Sequence, residues 1–372
     1  EEPALRDLAR WNYEHPEIGL EEVETSAHLC DFFRDHGFAV EERLCGMETA
    51  FRATKKSGEG RRICLMAEYD ALPGAGHACG HHLIATMCAG AALGLSAALD
   101  AGLIGEVTVI GSPSEETGHG KPYLIEHGAY DGFDAALSLH PFAYTMGKMK
   151  WIAIGGIDFH FTGKPAHAGA NPYEGVNALD AVIVFYSAVN ALRQQLKDGT
   201  RVHGIILEAG SAANIIPDSS RVRLEFRAEE QSYFDEVVEK VIQCARGAAL
   251  ATGCELEYHH YEPTCAGVLH NETLLAEYRE QMRQFGIEEE DCNISGSTDV
   301  GNVSQIVPTI HPLLRVCAER CSLHTPEFLN ATIQPMALDR MLLGAKLLAL
   351  TALRVLTDAE FAAKAKSEIP DA

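Results

Sequence analysis

Residues 61–99 read RRICLMAEYDALPGAGHACGHHLIATMCAGAALGLSAAL, and the succession of apolar run, polar loop and helix-forming run decides the fold class. RRICLMA (61–67) is short and apolar, as a buried strand is, and His82 to Leu99 is rich in Ala and Leu, which favour helix. The loop between them carries Glu68, Asp70, His77, Cys79, His81 and His82. Open α/β sheets bind ligands at the carboxyl ends of their strands, which is where this loop falls. A Cys and a His two apart, flanked by Gly76 and Gly80, can turn both side chains toward one point, and both ligate zinc-class ions. The competing reading is a glycine-rich turn with surface histidines.

Outward from this stretch, EVTVIGS (106–112) and DAALSLH (134–140) are further apolar runs ending in polar residues, and Glu21 to Phe38 has helical spacing broken at Gly37. The alternation predicts an α/β domain with a mostly parallel sheet and crossover helices. From Trp151 the texture changes. WIAIGGIDFHFTG (151–163), a helix over Gly175 to Leu196, HGIILEAG, RVRLEFRAE, a helix near Tyr233–Ala251 and ELEYHHYE follow in the order of a ferredoxin-like α+β unit. After Pro263 come a helix over Glu272–Phe285, a strand near His311–Val316 and a helix from Met336 to Leu356. The expected organisation is one domain from 1–150 plus 263–372, interrupted by an inserted domain over 151–262.

The chain has 372 residues, 47% of them hydrophobic and 22% charged, enough for full cores and against disorder. Its net charge of −23 would repel phosphate backbones and anionic lipid, so neither nucleic acid nor a membrane surface is an expected partner. MLLGAKLLALTAL (341–353) and similar runs fall short of the roughly 18 residues of a spanning helix. The opening EEPALRDLAR lacks a signal pattern, and eleven Cys without framework spacing fit reduced thiols, so the expected location is the cytoplasm. The acidic runs 21–22, 229–230 and 288–290 read as solvated faces.

GSPSEETGHG (111–120) places Glu115 and Glu116 directly after a strand. Adjacent carboxylates repel unless a cation or a shared proton intervenes, which fits one on a metal and one acting as base; alone, the pair is a solvated turn. His140 ends the next strand, and His324 lies in CSLHTPEF (321–328). A lone strand-end histidine is more often a hydrogen-bonded structural residue, but several strand ends bearing ligand-type residues favour one site over independent explanations.

HPEIGLEE (15–22), EYDALPGAGHACGH (68–81), SEET (114–117), SLHP (138–141), GKPAHAGANPYEGVNALDA (163–181), VHGII (202–206), ANIIPD (213–218), FRA (226–228), GSTDVGNVS (296–304) and SLHTPEF (322–328) span nearly the whole chain. Together they resemble the co-catalytic metallopeptidases that include aminoacylases, glutamate carboxypeptidases and auxin-conjugate or hippurate hydrolases. Within these they are most similar to the branch of p-aminobenzoyl-glutamate hydrolase B subunits and β-alanyl-lysine-type dipeptidases. The resemblance implies a zinc-peptidase-like α/β/α catalytic domain with a lid and dimerisation domain inserted in it. It implies two divalent ions (zinc, manganese, cobalt or nickel) on Cys79, His81, Glu116, His140 and His324, with Cys79 bridging, Glu115 as general base and Asp70 orienting a ligand. It further implies that His203 stabilises the oxyanion, often from the other subunit of a dimer, and that Asn214 and Arg227 hold a substrate carboxylate. From residue type alone, Arg227 reads equally as a surface cation and Asn214 as a turn residue.

The chain departs from the wider family's pattern at Glu68, where a metal-binding His is usual, and at His82, where Asp or Asn is usual. Glu68 is left open as ligand or supporting residue. His167 is left as structural or pocket-lining, Asp299 as a pocket-loop residue or an N-cap, and His259 and His260 as surface or core. The expected activity is metal-dependent hydrolysis of the amide bond of an N-acyl amino acid or dipeptide. The alternatives are another C–N hydrolysis, on an aryl amine or xenobiotic amide, and a metal- or ligand-binding relative without catalysis.

Overall fold

Arg62–Ala67 forms a strand with parallel neighbours on both sides, Glu106–Gly111 and Ala135–Leu137, and Thr309–Ile310 pairs in parallel beyond the latter. Glu106–Gly111 is buried throughout, which accounts for a continuous apolar run in place of alternation. Ala39–Glu42 and Phe51–Lys56, which periodicity did not single out, pair antiparallel along the other edge and complete a mixed six-stranded sheet. The charged Glu41, Glu42, Lys55 and Lys56 suit that solvated edge. The computed structural model describes residues 1–369, and the chain divides into two compact units, Glu1–Lys150 with Val268–Ala372, and Trp151–Gly267.

In the first unit the helix His81–Asp100 follows the Cys/His loop and packs against the helix Pro335–Thr357. A Cβ on Gly90 would lie 2.8 Å from that of Ala345, so the two backbones approach more closely than larger residues permit. By length and hydropathy His81–Asp100 alone would pass as a membrane span, contrary to the sequence reading, but 72% of that window is buried inside the protein. It is a core helix, sharing one apolar cluster with Leu5, Leu8, Leu65 and Leu347. The acidic runs are not all solvated. Glu22 is fully buried and the half-buried Glu290 accepts the Thr145 N–H, whereas Glu288 and Glu289 are exposed as expected.

The second unit is a four-stranded antiparallel sheet of Ala153–Thr162, Arg201–Glu208, Ser219–Ala228 and Glu255–His260, with helices Ala178–Arg193 and Gln231–Thr252 packed on it. Numbered along the chain, the strands lie in spatial order 4–1–3–2, and the connectivity is β-α-β-β-α-β. Ser219–Ala228 alternates buried and less buried residues, as a strand with one face on a core must. Residues 263–267 remain with this unit because Ile154 and Cys265 exchange both backbone hydrogen bonds.

Candidate metal centre

The carboxyl ends of the parallel strands in the first unit deliver the site. Glu68 and Asp70 follow Arg62–Ala67, Glu115 and Glu116 form a tight turn after Glu106–Gly111, and His140 follows Ala135–Leu137. His81 opens its helix directly after Gly80, whose φ of +85° lets the chain reverse between Cys79 and His81. His324 has left-handed backbone, φ +62°, and its N–H donates to the Ala78 carbonyl at 2.9 Å, tying the distant loop to the Cys79 turn.

The ligand-type atoms converge as overlapping sets. Cys79, His81 and His140 form one and Cys79, Glu116 and His324 another, the atoms of each lying within 4.8 Å of one another. The Cys79 Sγ is 3.5 Å from His140 Nε2, and Glu116 Oε1 is 3.8 Å from His81 Nε2 and 3.6 Å from His324 Nε2. Both buried imidazoles present Nε2 inward for a structural reason. His140 Nδ1 contacts the Pro141 carbonyl at 2.7 Å and His81 Nδ1 contacts Asp70 Oδ1 at 2.9 Å; both oxygens only accept, so each Nδ1 carries a proton and Nε2 is the nitrogen each ring can offer a cation. The second Asp70 oxygen accepts the Glu116 N–H at 2.9 Å, so one buried carboxylate aims a member of each set.

The donors fit a pair of divalent ions. One sulfur is common to both sets, and His81 Nε2 and Glu116 Oε1 are buried without a hydrogen-bond partner, an arrangement a cation would satisfy. Burial holds the Cys79 thiol above its ordinary value, so ligation would release its proton. Burial, then the charges of Glu68 and Asp299, push the Glu115 carboxyl well above the usual range. Its Oε2 is 3.7 Å from His81 Nε2.

Two residues outside the expected ligand set support this loop cluster. Glu22 Oε1 accepts the N–H of Ser114 at 2.8 Å and Oε2 accepts from Thr49 Oγ1 at 3.0 Å, beneath the turn that presents Glu115. Burial lifts the Glu22 carboxyl to about 7. The fully buried Lys121 pairs with Glu68 and Asp299. Neither was legible by periodicity, although Lys121 follows the Glu pair within one glycine-rich turn. His311, at the end of Thr309–Ile310, also comes within 5.7 Å of His140 between ring centroids. His77 and His82 are buried with ring centroids 5.0 Å apart and enter none of the ligand sets. Asp299 stands at the N-cap position of Val300–Ser304 without capping it, because its side chain is spent on Lys121.

His203, Asn214 and Arg227 belong to the second unit. His203 Nε2 is 3.3 Å from Glu225 Oε1, which also accepts from Arg227 Nε at 2.8 Å, so the strand pairing gathers His203 and Arg227 around a carboxylate that the sequence reading did not single out. Asn214 lies apart in an exposed segment, its carbonyl accepting the Ala168 N–H at 3.0 Å. His167 Nδ1 accepts the N–H groups of Gly169 and Ala170, a local turn role, and His259 and His260 are exposed.

Residues 64–354 match the model of Peptidase family M20/M25/M40. The Xaa-Arg dipeptidase of Mus musculus is 39% identical over 370 residues, covering 95% of this chain and 85% of the relative. The B subunit of p-aminobenzoyl-glutamate hydrolase from Escherichia coli is 32% identical over 304 residues, covering 76% of this chain and 63% of that one. Among solved structures, a Bacillus subtilis protein described as a dinuclear metal binding peptidase shares the fold with a TM-score of 0.76 at 21% identity, over 95% of this chain and 98% of its own.

Proposed function

The chain belongs to Peptidase family M20/M25/M40 and is a metal-dependent peptidase or amidohydrolase, and from that premise we propose that it cleaves the amide bond of a dipeptide or N-acyl amino acid. In this reading Cys79, His81 and His140 hold one divalent ion, and Cys79, Glu116 and His324 hold the other. The chemistry such a pair supplies when bound is activation of water at neutral pH. Glu115 takes the proton of the attacking water and returns it to the leaving amine, a role suited to a buried carboxyl whose proton affinity is raised. Asp70 keeps the His81 proton on Nδ1. His203 donates to the developing oxyanion, and Asn214 and Arg227 receive the substrate carboxylate. The observation that carries the reading is the pair of ligand sets meeting at the Cys79 sulfur with Glu115 beside them.

The mouse relative favours a dipeptide with a basic C-terminal residue, and the Escherichia coli relative supports p-aminobenzoyl-glutamate as the second candidate. Amine release from a panel of both, with N-acyl amino acids alongside, tests this in metal-reconstituted protein. Turnover should vanish with chelator and fall by at least about 100-fold, roughly the weight of a general base, in Glu115→Gln. Turnover that survives E115Q removes Glu115 from the role.

The second unit serves in this reading as lid and dimerisation domain. Its edge strand Arg201–Glu208 exposes Ile205, Ile206 and Leu207, an unpaired apolar edge of the kind that a second copy covers. Ile205→Asp should convert a dimer to a monomer by light scattering, and a monomeric wild type would end that proposal. No disulfide joins the eleven cysteines, which suits a reducing compartment such as the cytoplasm.

A further inference from the structure

A third set of ligand-type atoms overlaps the first two: Glu68, His81 and Glu115. It shares His81 with the first set, and one imidazole nitrogen has one lone pair to give, so an ion on His81 occupies one set or the other. Two carboxylates and an imidazole are acceptable to the same ions as the Cys79 sets. An ion there would take Glu115 as ligand and remove the proton acceptor of the reading above.

Lys121 distinguishes the third set from the others. Its Nζ lies 2.7 Å from Glu68 Oε1 and 2.5 Å from Asp299 Oδ1, and its backbone N–H donates to Asp299 Oδ2 at 3.0 Å. All three side chains have no exposure. They come from a strand end, the start of the helix Gly120–Glu126 and the start of the helix Val300–Ser304, so the ammonium is fixed from three directions. A dication on Glu68 would share a carboxylate with this buried positive charge, where repulsion is poorly screened.

We propose that Lys121 is a positioning residue whose built-in charge closes the Glu68–His81–Glu115 set to divalent cations, directing them to the two Cys79 sets and leaving Glu115 free. The inference rests on the two-ion reading above. It also accounts for Glu68, the acidic residue standing where the wider family pattern has a ligand: its charge is committed to Lys121.

The test is X-ray absorption at the zinc edge on zinc-loaded full-length protein, counting sulfur neighbours per zinc, with zinc per chain from elemental analysis. The variants are K121R, which keeps the charge, and K121Q/D299N and K121M/D299L, which remove a buried cation together with a buried anion, so the net buried charge is unchanged and Glu68 is left for a divalent ion to neutralise. Wild type and K121R should show sulfur at every zinc. In whichever double variant folds, one of the two zincs should lose its sulfur neighbour, and kcat should fall with it. Sulfur retained at every zinc in the double variants, or lost in K121R, overturns the role of the charge. Wild-type zinc without sulfur neighbours would instead overturn the two-ion reading, and this inference with it.

Discussion

Replacing Asp70 by Asn removes one charge and one acceptor from a carboxylate that serves two partners at 2.9 Å each, His81 Nδ1 and the Glu116 N–H. The asparagine oxygen can face only one of them. If it faces Glu116, the amide N–H2 meets His81 Nδ1, the imidazole proton moves to Nε2, and the lone pair aimed at the cation is lost. If it faces His81, two donors meet at Glu116 and displace that turn. Either way one ligand set is damaged and the other spared. A buried hydrogen bond to a charged group contributes about 1.5–3 kcal/mol. That converts to a loss of about 10- to 100-fold in affinity, the range seen when outer-shell partners of metal ligands are changed. The assay is zinc release against a graded chelator series, resolved into two dissociation steps. We expect D70N to weaken one step by about that factor and to leave the other at its wild-type value. Two wild-type steps would show that Asp70 does not aim the ligands, and equal loss in both would point to general damage to the fold.

Glu22 gives a pH prediction for stability. Its carboxyl is raised from 4.5 to about 7 in the folded protein, so its contribution is fully present below about pH 4.5 and is lost as pH rises through 7. At about 1.36 kcal/mol per unit this amounts to at most about 3 kcal/mol. Glu22→Gln, which keeps an acceptor for the Ser114 N–H, should gain on wild type by up to that amount between pH 5 and pH 8 in urea unfolding of metal-free protein; parallel curves would refute the burial argument. At Gly80 an added Cβ would sit 2.6 Å from Pro141 Cγ on a backbone at φ +85°. G80A should cost at least about 1–2 kcal/mol from the left-handed backbone alone and weaken zinc binding by moving Cys79 against His81, and unchanged melting and affinity would count against it.

The elements that could be read from sequence were those whose burial is uniform or strictly periodic. RRICLMA and EVTVIGS are buried on both faces and stand out as apolar runs, and Gly37, at φ +80°, closes the helix that it was expected to end. The antiparallel edge strands Ala39–Glu42 and Phe51–Lys56 escaped because their solvated positions dilute the apolar signal. At the centre, residues with intrinsic ligand chemistry could be named from their loops, whereas Lys121 and Glu22 could not. A lysine or a glutamate in a polar run reads as solvent-facing, and only the tertiary fold shows that Asp299, 178 positions away, and the Ser114 amide, 92 away, are its partners. Glu290 was misread for the same reason, one of its oxygens being spent on the backbone N–H of residue 145.

The two ends of the second unit meet: Ile154 and Cys265 are paired, and a Cβ on Gly267 would lie 3.3 Å from the Trp151 carbonyl. Whatever the length of chain between them, the first unit leaves at Lys150 and resumes at Val268 across a gap no wider than a hairpin spans. Loop-closure entropy depends only logarithmically on length, so nearly a third of the sequence is housed there at a small thermodynamic cost. Every candidate metal ligand lies on one side of that junction, and His203, Asn214 and Arg227 lie on the other. The architecture thus keeps every residue of the candidate ligand sets outside the segment between residues 150 and 268, so that segment could be lengthened or exchanged without replacing one of them.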